Sequence, residues 1–284
     1  MNSTPWKTTP RAQPQPQTLP ETAWSWYAPP SALETLAAGF DPISLKEMEA
    51  VALLDRLDTK FVLSSMQLLC VLADISRNYG MLCIGSQRLN PYRTLYFDTP
   101  DFELYHAHVN QRAERYKVRS REYASSRLSF MEVKHKTRKG RTVKARLRTA
   151  QPVVHMTPEI QHWVGGVSPV PGGALEPKLW NTFKRLTLVS KHDCERVTLD
   201  VDLMFYFGGR EVALDGLVIA EVKLDACTQA SPFLAQMRAR RIHPRGFSKY
   251  ALGVAWLYDQ VKRNALKPQR LWIEKMMKGA VCDE

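Results

Sequence analysis

The 284-residue chain carries 40 Lys and Arg against 28 Asp and Glu, a net charge of +12, with a hydrophobic share of 44%. That length holds one large domain with a proper core, and the charge calls for an anionic partner: nucleic acid, a phosphate compound or an acidic membrane surface. The five cysteines (Cys70, Cys83, Cys194, Cys227 and Cys282) are scattered, odd in number and never in C-x-x-C spacing, which excludes a disulfide framework or a cysteine zinc site and suits a reducing, cytoplasmic setting.

Residues 1–30 are rich in Pro, Gln and Thr and read as a disordered tail. Within it Trp24, Trp26 and Tyr27 form either a docking motif or a segment folded back on the domain. Ser44 to Leu57 has helical periodicity, and Arg56 to Leu63 runs on into a strand. Ser65 to Asn78 reads as an amphipathic helix capped by Ser64 or Ser65. Tyr92 to Phe97 is strand-like, and Thr99-Pro100-Asp101 looks like a helix start with Pro in the first turn. Residues 151–176 are irregular, with a short helix near Pro158 to Val164. Strands resume at Trp180 to Val189, Glu195 to Leu203 and Leu217 to Leu224. Helices follow at Ser231 to Arg241, Ser248 to Arg263 and Gln269 to Met277. The expected division is a tail over 1–30, one domain over 31–266, and a C-terminal helix and tail over 267–284. Strands that follow one another, with helices gathered at the ends, favour an antiparallel α+β or barrel architecture. No stretch reaches the roughly 18 apolar residues of a membrane span, and the N-terminus has no secretory pattern.

Arg115, Lys117, Arg119 and Arg121 recur at a spacing of two. In a strand that places all four on one face, opposite Tyr116, Val118 and Ser120. The next run puts Glu132, Lys134 and Lys136 on one face and Met131 and Val133 on the other. A third, after the turn Arg138-Lys-Gly-Arg141, puts Lys144, Arg146 and Arg148 opposite Val143, Ala145 and Leu147. If such faces meet, a polyanion or partner carboxylates must occupy the space between them; otherwise they are the solvated outer faces of a sheet. Later strands mix the signs. Val197, Leu199, Val201 and Leu203 alternate with Arg196, Thr198, Asp200 and Asp202, while Glu221 and Lys223 share a face opposite Val222 and Leu224. A barrel can hold such polar faces inside if helices cover the apolar ones. A carboxylate in a basic lumen suits a Mg²⁺ or Mn²⁺ ion bridging phosphates.

Eight segments carry a resemblance. They are Arg56-Leu-Asp-Thr-Lys60, Tyr92-Arg-Thr-Leu-Tyr-Phe-Asp-Thr99, Lys117-Val-Arg-Ser-Arg-Glu-Tyr123, Phe130-Met-Glu-Val-Lys134, Gly140-Arg-Thr-Val-Lys144, Arg196-Val-Thr-Leu-Asp200, Glu221-Val-Lys223 and Phe247-Ser-Lys-Tyr250. Their order resembles that of VTC domains, the polyphosphate polymerase domain of the vacuolar transporter chaperone family in the triphosphate tunnel (CYTH-like) superfamily, over about residues 44–260. The resemblance implies an α+β fold, a closed antiparallel β-barrel tunnel with a basic lumen, flanked by helices. It also implies ATP as phosphoryl donor, inorganic polyphosphate as acceptor and product, ADP release, and Mn²⁺ or Mg²⁺ as cofactor. By position, Lys60, Arg119, Arg121, Lys134, Lys144, Arg185, Arg196 and Lys249 would be the catalytic, phosphate-binding cations. Arg115, Lys117, Lys136, Arg146 and Lys223 would bind substrate along the same path, Glu221 would hold the metal, and Glu132 is a second metal candidate. Lys184 rivals Arg185, but parity puts Lys184 on the side of the apolar Leu186 and Leu188. One departure is Asp58, where the family commonly has Glu. The eukaryotic complexes move the polymer across a membrane, so a membrane-protein partner at the cytoplasmic face is the matching expectation. His106, His108, His135 and His155 have no metal spacing and read as surface or strand residues. No phosphate-binding Gly-x-x-x-x-Gly-Lys-Ser/Thr loop is present. Alternatives of other classes are a tripolyphosphatase or nucleoside triphosphatase on the same fold, and a non-catalytic polyphosphate or RNA-binding module. RNA is disfavoured because the cationic strands offer few stacking rings.

Overall fold

The period-two runs do form strands, and most extend beyond their alternating core. A computed structural model describes residues 31–50, 56–225 and 230–279. The Trp24 to Tyr27 motif and the stretch 51–55 of the expected Ser44 helix lie outside the described residues. Helices are α1 (Ala32–Ala38), α2 (Leu45–Ala50), α3 (Ser65–Ile75), α4 (Glu103–Val109), α5 (Pro158–Val167), α6 (Pro232–Ala239), α7 (Lys249–Leu257) and α8 (Lys267–Met277). Strands are β1 (Asp41–Ile43), β2 (Arg56–Ser64), β3 (Tyr79–Leu82), β4 (Asn90–Asp98), β5 (Arg115–Tyr123), β6 (Leu128–Lys136), β7 (Thr142–Thr149), β8 (Glu176–Ser190), β9 (Glu195–Phe207), β10 (Arg210–Leu214) and β11 (Leu217–Asp225).

The main sheet runs β2-β11-β9-β8-β4-β5-β6-β7, antiparallel throughout. Short β10 extends β9 as a hairpin, and β3 joins β8 while pairing β1 in parallel. The fold is thus the expected α+β class with a large antiparallel sheet. Closure differs from the expectation: among the described residues no hydrogen-bonded ladder joins the end strands β2 and β7. The chain entering α7 ties the wall instead. Arg245 N donates to Lys60 O at 2.8 Å, Lys60 Nζ donates to Phe247 O at 3.4 Å, and Lys117 Nζ donates to Ser248 Oγ at 3.0 Å.

Apolar packing fixes which face is which. On the outer face α3 and α6 bury Leu68, Leu72, Phe233 and Met237 against Phe61, Leu63, Leu186 and Val222. Ile160 and Val164 of α5 cover Leu95, Val118, Met131 and Val133 on the outer side of β4–β6. On the concave side α7 packs Tyr250, Ala251 and Val254 on Val62, Leu179, Leu203, Phe205 and Ile219. Gly253 makes this approach possible: a Cβ there would stand 2.7 Å from both Leu179 and Phe205 side chains. Leu203 was expected on the same side as Val197, Leu199 and Val201, yet it faces α7. The cause is a bulge in β9. Asp202 has φ +52, and two residues of β9 oppose Phe183 alone between the pairs Thr182–Met204 and Lys184–Val201.

Helix α4 starts at Glu103, after Phe102 in the left-handed region (φ 58), so Pro100 precedes the helix. Its first amides are satisfied from the end of β4. The buried Asp98 carboxylate accepts from Thr99 N (2.8 Å), Leu104 N (2.9 Å) and Tyr105 N (2.8 Å), and also from the Tyr250 hydroxyl of α7. Thr99 Oγ1 accepts from Glu103 N at 3.0 Å. One carboxylate therefore joins β4, α4 and α7. Asp98→Ala orphans these donors, and the expected loss is about 3–5 kcal/mol. Thr99→Ala removes one neutral bond and costs about 1 kcal/mol. Chemical denaturation of the two variants checks the contrast.

Candidate functional site

Strand register brings the three cationic runs side by side. Lys117 on β5 lies opposite Lys134 on β6, which lies opposite Lys144 on β7. One step along, Arg119 opposes Glu132 and Glu132 opposes Arg146; next come Arg121, Phe130 and Arg148. Arg115 opposes Lys136 at the near end. Across the concave face Glu221 on β11 opposes Lys60 on β2 and Thr198 on β9. Lys223 opposes Asp58 and Arg196, and Arg185 opposes Asp200.

Three carboxylates each hold two cations. Glu132 is 1% exposed and receives Arg119 through Nη2 at 2.6 Å and Nε at 2.8 Å, with Lys144 as its second partner. Burial alone would raise its pKa, but Arg119, Arg121 and Lys144 outweigh that and hold it at about 2. Asp200 takes Arg185 in a two-point bond (2.5 and 2.8 Å) and pairs with Lys249. It too is held well below the carboxylate range: Arg185 and Lys249 overcome the opposing effect of burial. Rings of Tyr92 and Phe183 back the Arg185 guanidinium at 5.0 and 5.3 Å, and Lys249 Nζ sits 4.6 Å from the Phe183 ring. Glu221 is the most open of the three, its side chain 21% exposed, with Lys223 at 3.1 Å and Lys60 at 3.6 Å. Against burial, Lys60, Lys223 and Arg185 hold it at about 2.

Other cations have no such partner. Among the described residues Lys117, Arg121 and Lys134 form no ion pair with a carboxylate; Arg121 Nε donates to Thr94 Oγ1 at 3.1 Å and Lys117 to Ser248. Burial, then the charges of Lys134, Lys60, Arg119 and Arg115, push Lys117 well below its ordinary value. Lys134 is exposed, yet the loss of surrounding water among its neighbours, then Lys60, Arg119 and Lys223, bring it down to about 8 against the pull of Glu221. Burial brings Lys249 to about 8 as well, with Arg185 adding to it and Asp200 opposing.

Of the residues singled out in the sequence, Lys60, Arg119, Arg121, Lys134, Lys144, Arg185, Lys223, Lys249 and Glu221 converge on the concave face, with Arg196 in register beside Lys223. Arg115 and Lys136 lie at one end. Arg146 is exposed on edge strand β7, stacked over Phe130 at 5.2 Å. Lys184 turns the other way and pairs with the exposed Asp202 at 3.0 Å, so Arg185 holds the concave position. Glu132 gives its oxygens to Arg119 and Lys144. Sequence reasoning missed Asp200 and the ring backing of Arg185; the parity of Asp200 with Arg196 was the available signal. His135 pairs with Glu114 at 2.9 Å and stacks on Tyr116, a strand residue as expected. His108, expected as a surface or strand residue, is instead half-buried on helix α4, where burial, then the charges of Lys117, Arg115, Lys60 and Lys134, push it down to about 3.

The VTC domain family matches residues 55–163 and 170–258. No curated protein matches the chain significantly. Among solved structures, a candidate adenylate cyclase from Bacillus halodurans is 13% identical with a TM-score of 0.45, covering 68% of this chain and 93% of its own. A candidate adenylyl cyclase from Hippeastrum, described as having a dominant triphosphatase activity, is 16% identical with a TM-score of 0.41, covering 72% and 98%. The PH1819 protein from Pyrococcus horikoshii is 10% identical with a TM-score of 0.38, covering 69% and 97%. With its family match spanning most of the described sheet and the ordered basic strands, the chain belongs to the VTC domain family.

Proposed function

We propose that this chain is a metal-dependent polyphosphate polymerase. It passes the γ-phosphoryl of ATP to the end of a growing inorganic polyphosphate chain and releases ADP. The observation that carries this reading is the cross-strand row Lys117, Lys134 and Lys144. Cations about 5 Å apart repel by roughly 3 kcal/mol at an effective dielectric near 20. Of these three, among the described residues, only Lys144 has a carboxylate in contact. A chain of phosphates supplies the missing negative charge through charge-assisted hydrogen bonds.

Phosphoryl transfer asks the protein for positioning and charge neutralisation. The terminal oxygen of the acceptor chain attacks the γ-phosphorus, and the bond to the β,γ-bridging oxygen breaks as ADP leaves. No protein nucleophile is needed. Lys60, Arg119, Arg121, Lys134, Lys144, Arg185, Arg196 and Lys249 are the proposed phosphate ligands, with Arg115, Lys117, Lys136, Arg146 and Lys223 along the path. The donor set fits a small divalent ion. Glu221 and Asp58 both reach Lys223 Nζ, at 3.1 and 3.0 Å, so their carboxylates are neighbours. Mg²⁺-type ions take one or two carboxylates and complete their shell with phosphate oxygens and water. Glu221, with Asp58 beside it, would hold such an ion, which when bound neutralises charge on the β- and γ-phosphates.

Incubation with ATP and Mn²⁺, resolved on a gel by polymer length, should yield ADP and long polyphosphate. Free phosphate without polymer would transfer the assignment to a tripolyphosphatase or nucleoside triphosphatase, and no turnover to a binding module. Glu221→Gln should cut turnover by about 100-fold or more while polyphosphate binding changes little.

Protonation of the crowded lysines supplies a second expectation. Lys134 and Lys249 release their protons near 8 in the folded protein but near 10.4 when unfolded. Between these values the unfolded chain binds more protons, so these groups make stability rise with pH; below about 8 both states are charged and the slope vanishes. Melting curves of the ligand-free protein from about pH 8 to 10 should show a rise that shrinks in Lys134→Met and flattens with saturating polyphosphate.

A further inference from the structure

Toward one end of the concave face the cations give way to rings. Along β5 the inward positions read Arg115, Lys117, Arg119, Arg121 and then Tyr123; along β6 they read Lys136, Lys134, Glu132 and then Phe130. Tyr92 on β4 lies opposite both Tyr123 and Phe183 of β8. The four strands carry one continuous row. Phe183 stacks on Tyr92 at 5.1 Å, Tyr92 meets Tyr123 at 4.9 Å, and Tyr123 meets Phe130 edge to face at 5.8 Å. Cations tie most of the row to the wall. Arg185 lies over Tyr92 and Phe183, Lys249 over Phe183, Arg121 over Tyr92 at 5.8 Å, and Arg146 over Phe130. Tyr123 differs from its neighbours: its side is half-exposed, and among the described residues no cation lies over its ring.

Cross-strand ring pairs stabilise a sheet, which accounts for the buried Phe183 and for Tyr92 against it. It does not account for an uncovered ring set in line with Arg119 and Arg121. A bare phosphate chain gains nothing from such a ring. A flat heterocycle joined to phosphates gains twice, because the base stacks while the phosphates reach the cations. We propose that Tyr123, with Phe130 beside it, is the nucleobase subsite for the donor nucleotide. The base stacks there, and the triphosphate runs along β5 past Arg121 and Arg119 toward Lys117. Tyr123 stands two residues beyond Arg121, roughly 7 Å at the usual strand rise, which leaves room for a ribose between them. A direction follows. The γ-phosphorus faces the all-cationic end, and the acceptor chain enters from Arg115 and Lys136. Stacking accepts any base, so the subsite selects nucleotides over bare phosphate chains, not one base over another. The inference rests on the nucleotide donor of the proposed function and not on polymer as its product.

Equilibrium titrations of the full chain with ATP and with ribose 5-triphosphate, its base-free counterpart, isolate the contribution of the base. Metal is chelated so that no transfer runs. Wild type should bind ATP about tenfold or more tightly than ribose triphosphate. Tyr123→Leu should lose that preference with its ribose triphosphate affinity unchanged, and Tyr123→Phe should keep it. Equal affinities in the wild type, or an equal loss for both ligands in Tyr123→Leu, overturn the proposal. Should Tyr123→Leu not fold, photolabelling of the wild type with 8-azido-ATP decides the matter. Label on the tryptic peptides 122–127 or 128–134 supports the subsite, and label confined to other peptides overturns it. Selective loss of ATP affinity in a protein that makes no polymer supports this inference while the polymerase reading falls. Polymer synthesis from ATP by a wild type that binds both ligands equally does the reverse.

Discussion

Mutual repulsion among cations on one sheet face is the constraint around which this protein is arranged. Lys117, Lys134 and Lys144 stand across three neighbouring strands, with Arg119 and Arg121 on the same face. Glu132, Asp200 and Glu221 are set around that face so that each binds two cations. Buried carboxylates without such partners would be neutral; here the surrounding charges hold all three ionised. Glu132 and Asp200 are therefore part of the wall, fixing Arg119 and Arg185 in one orientation. Glu221 has longer contacts and more exposure, which leaves it the freest to change partners.

The apolar packing gives that charged face its depth. α3 and α6 cover one part of the outer surface and α5 another, which leaves the inner surface to be shared. α7 takes the apolar half of it, over Val62, Ile219, Leu203 and Phe205. The bulge at Asp202 lets β9 serve both cores, with Val197 to Val201 turned toward α3 and Leu203 and Phe205 toward α7. The boundary between the halves is the start of α7. There Ser248 receives Lys117, and Lys249 meets Asp200. Packing of a hydrophobic helix thus sets where the cationic half ends.

Parity made the charged face legible because cations and uncharged residues alternate without interruption from Arg115 to Arg121 and from Lys144 to Arg148. The same reading placed Arg185 inward and Lys184 outward, as found. It failed where local geometry breaks the period. Nothing in the run Val201-Asp-Leu203 announces a bulge, and the short β1, β3 and β10 carry too few residues for a pattern. α7 ends at Leu257, short of the expected Arg263, because Tyr258 turns to donate its hydroxyl to Lys178 O and Asp259 is held by Arg210 and Arg263. α4 begins late because its amides are capped from Asp98, before the helix. Closure of the wall through the segment ahead of α7, in place of a β2–β7 ladder, is a long-range property that no local window contains.

Length separates the ligands this face suits. From Arg115 to Arg121 the cationic edge of β5 runs about 20 Å at the usual strand rise. Lys136 and Lys134 follow the same line on β6, with Lys144 across from Lys134 on β7. The clamps built from Glu132, Asp200 and Glu221 occupy only part of that length, yet the row continues past them through Lys117 to Arg115 and Lys136, where among the described residues no carboxylate is paired in register. A nucleoside triphosphate would answer the clamps and leave the rest of the row facing itself. A polymer lying along the strand neutralises all of it. The extension beyond the clamps is the feature on which the proposed polyphosphate reading rests.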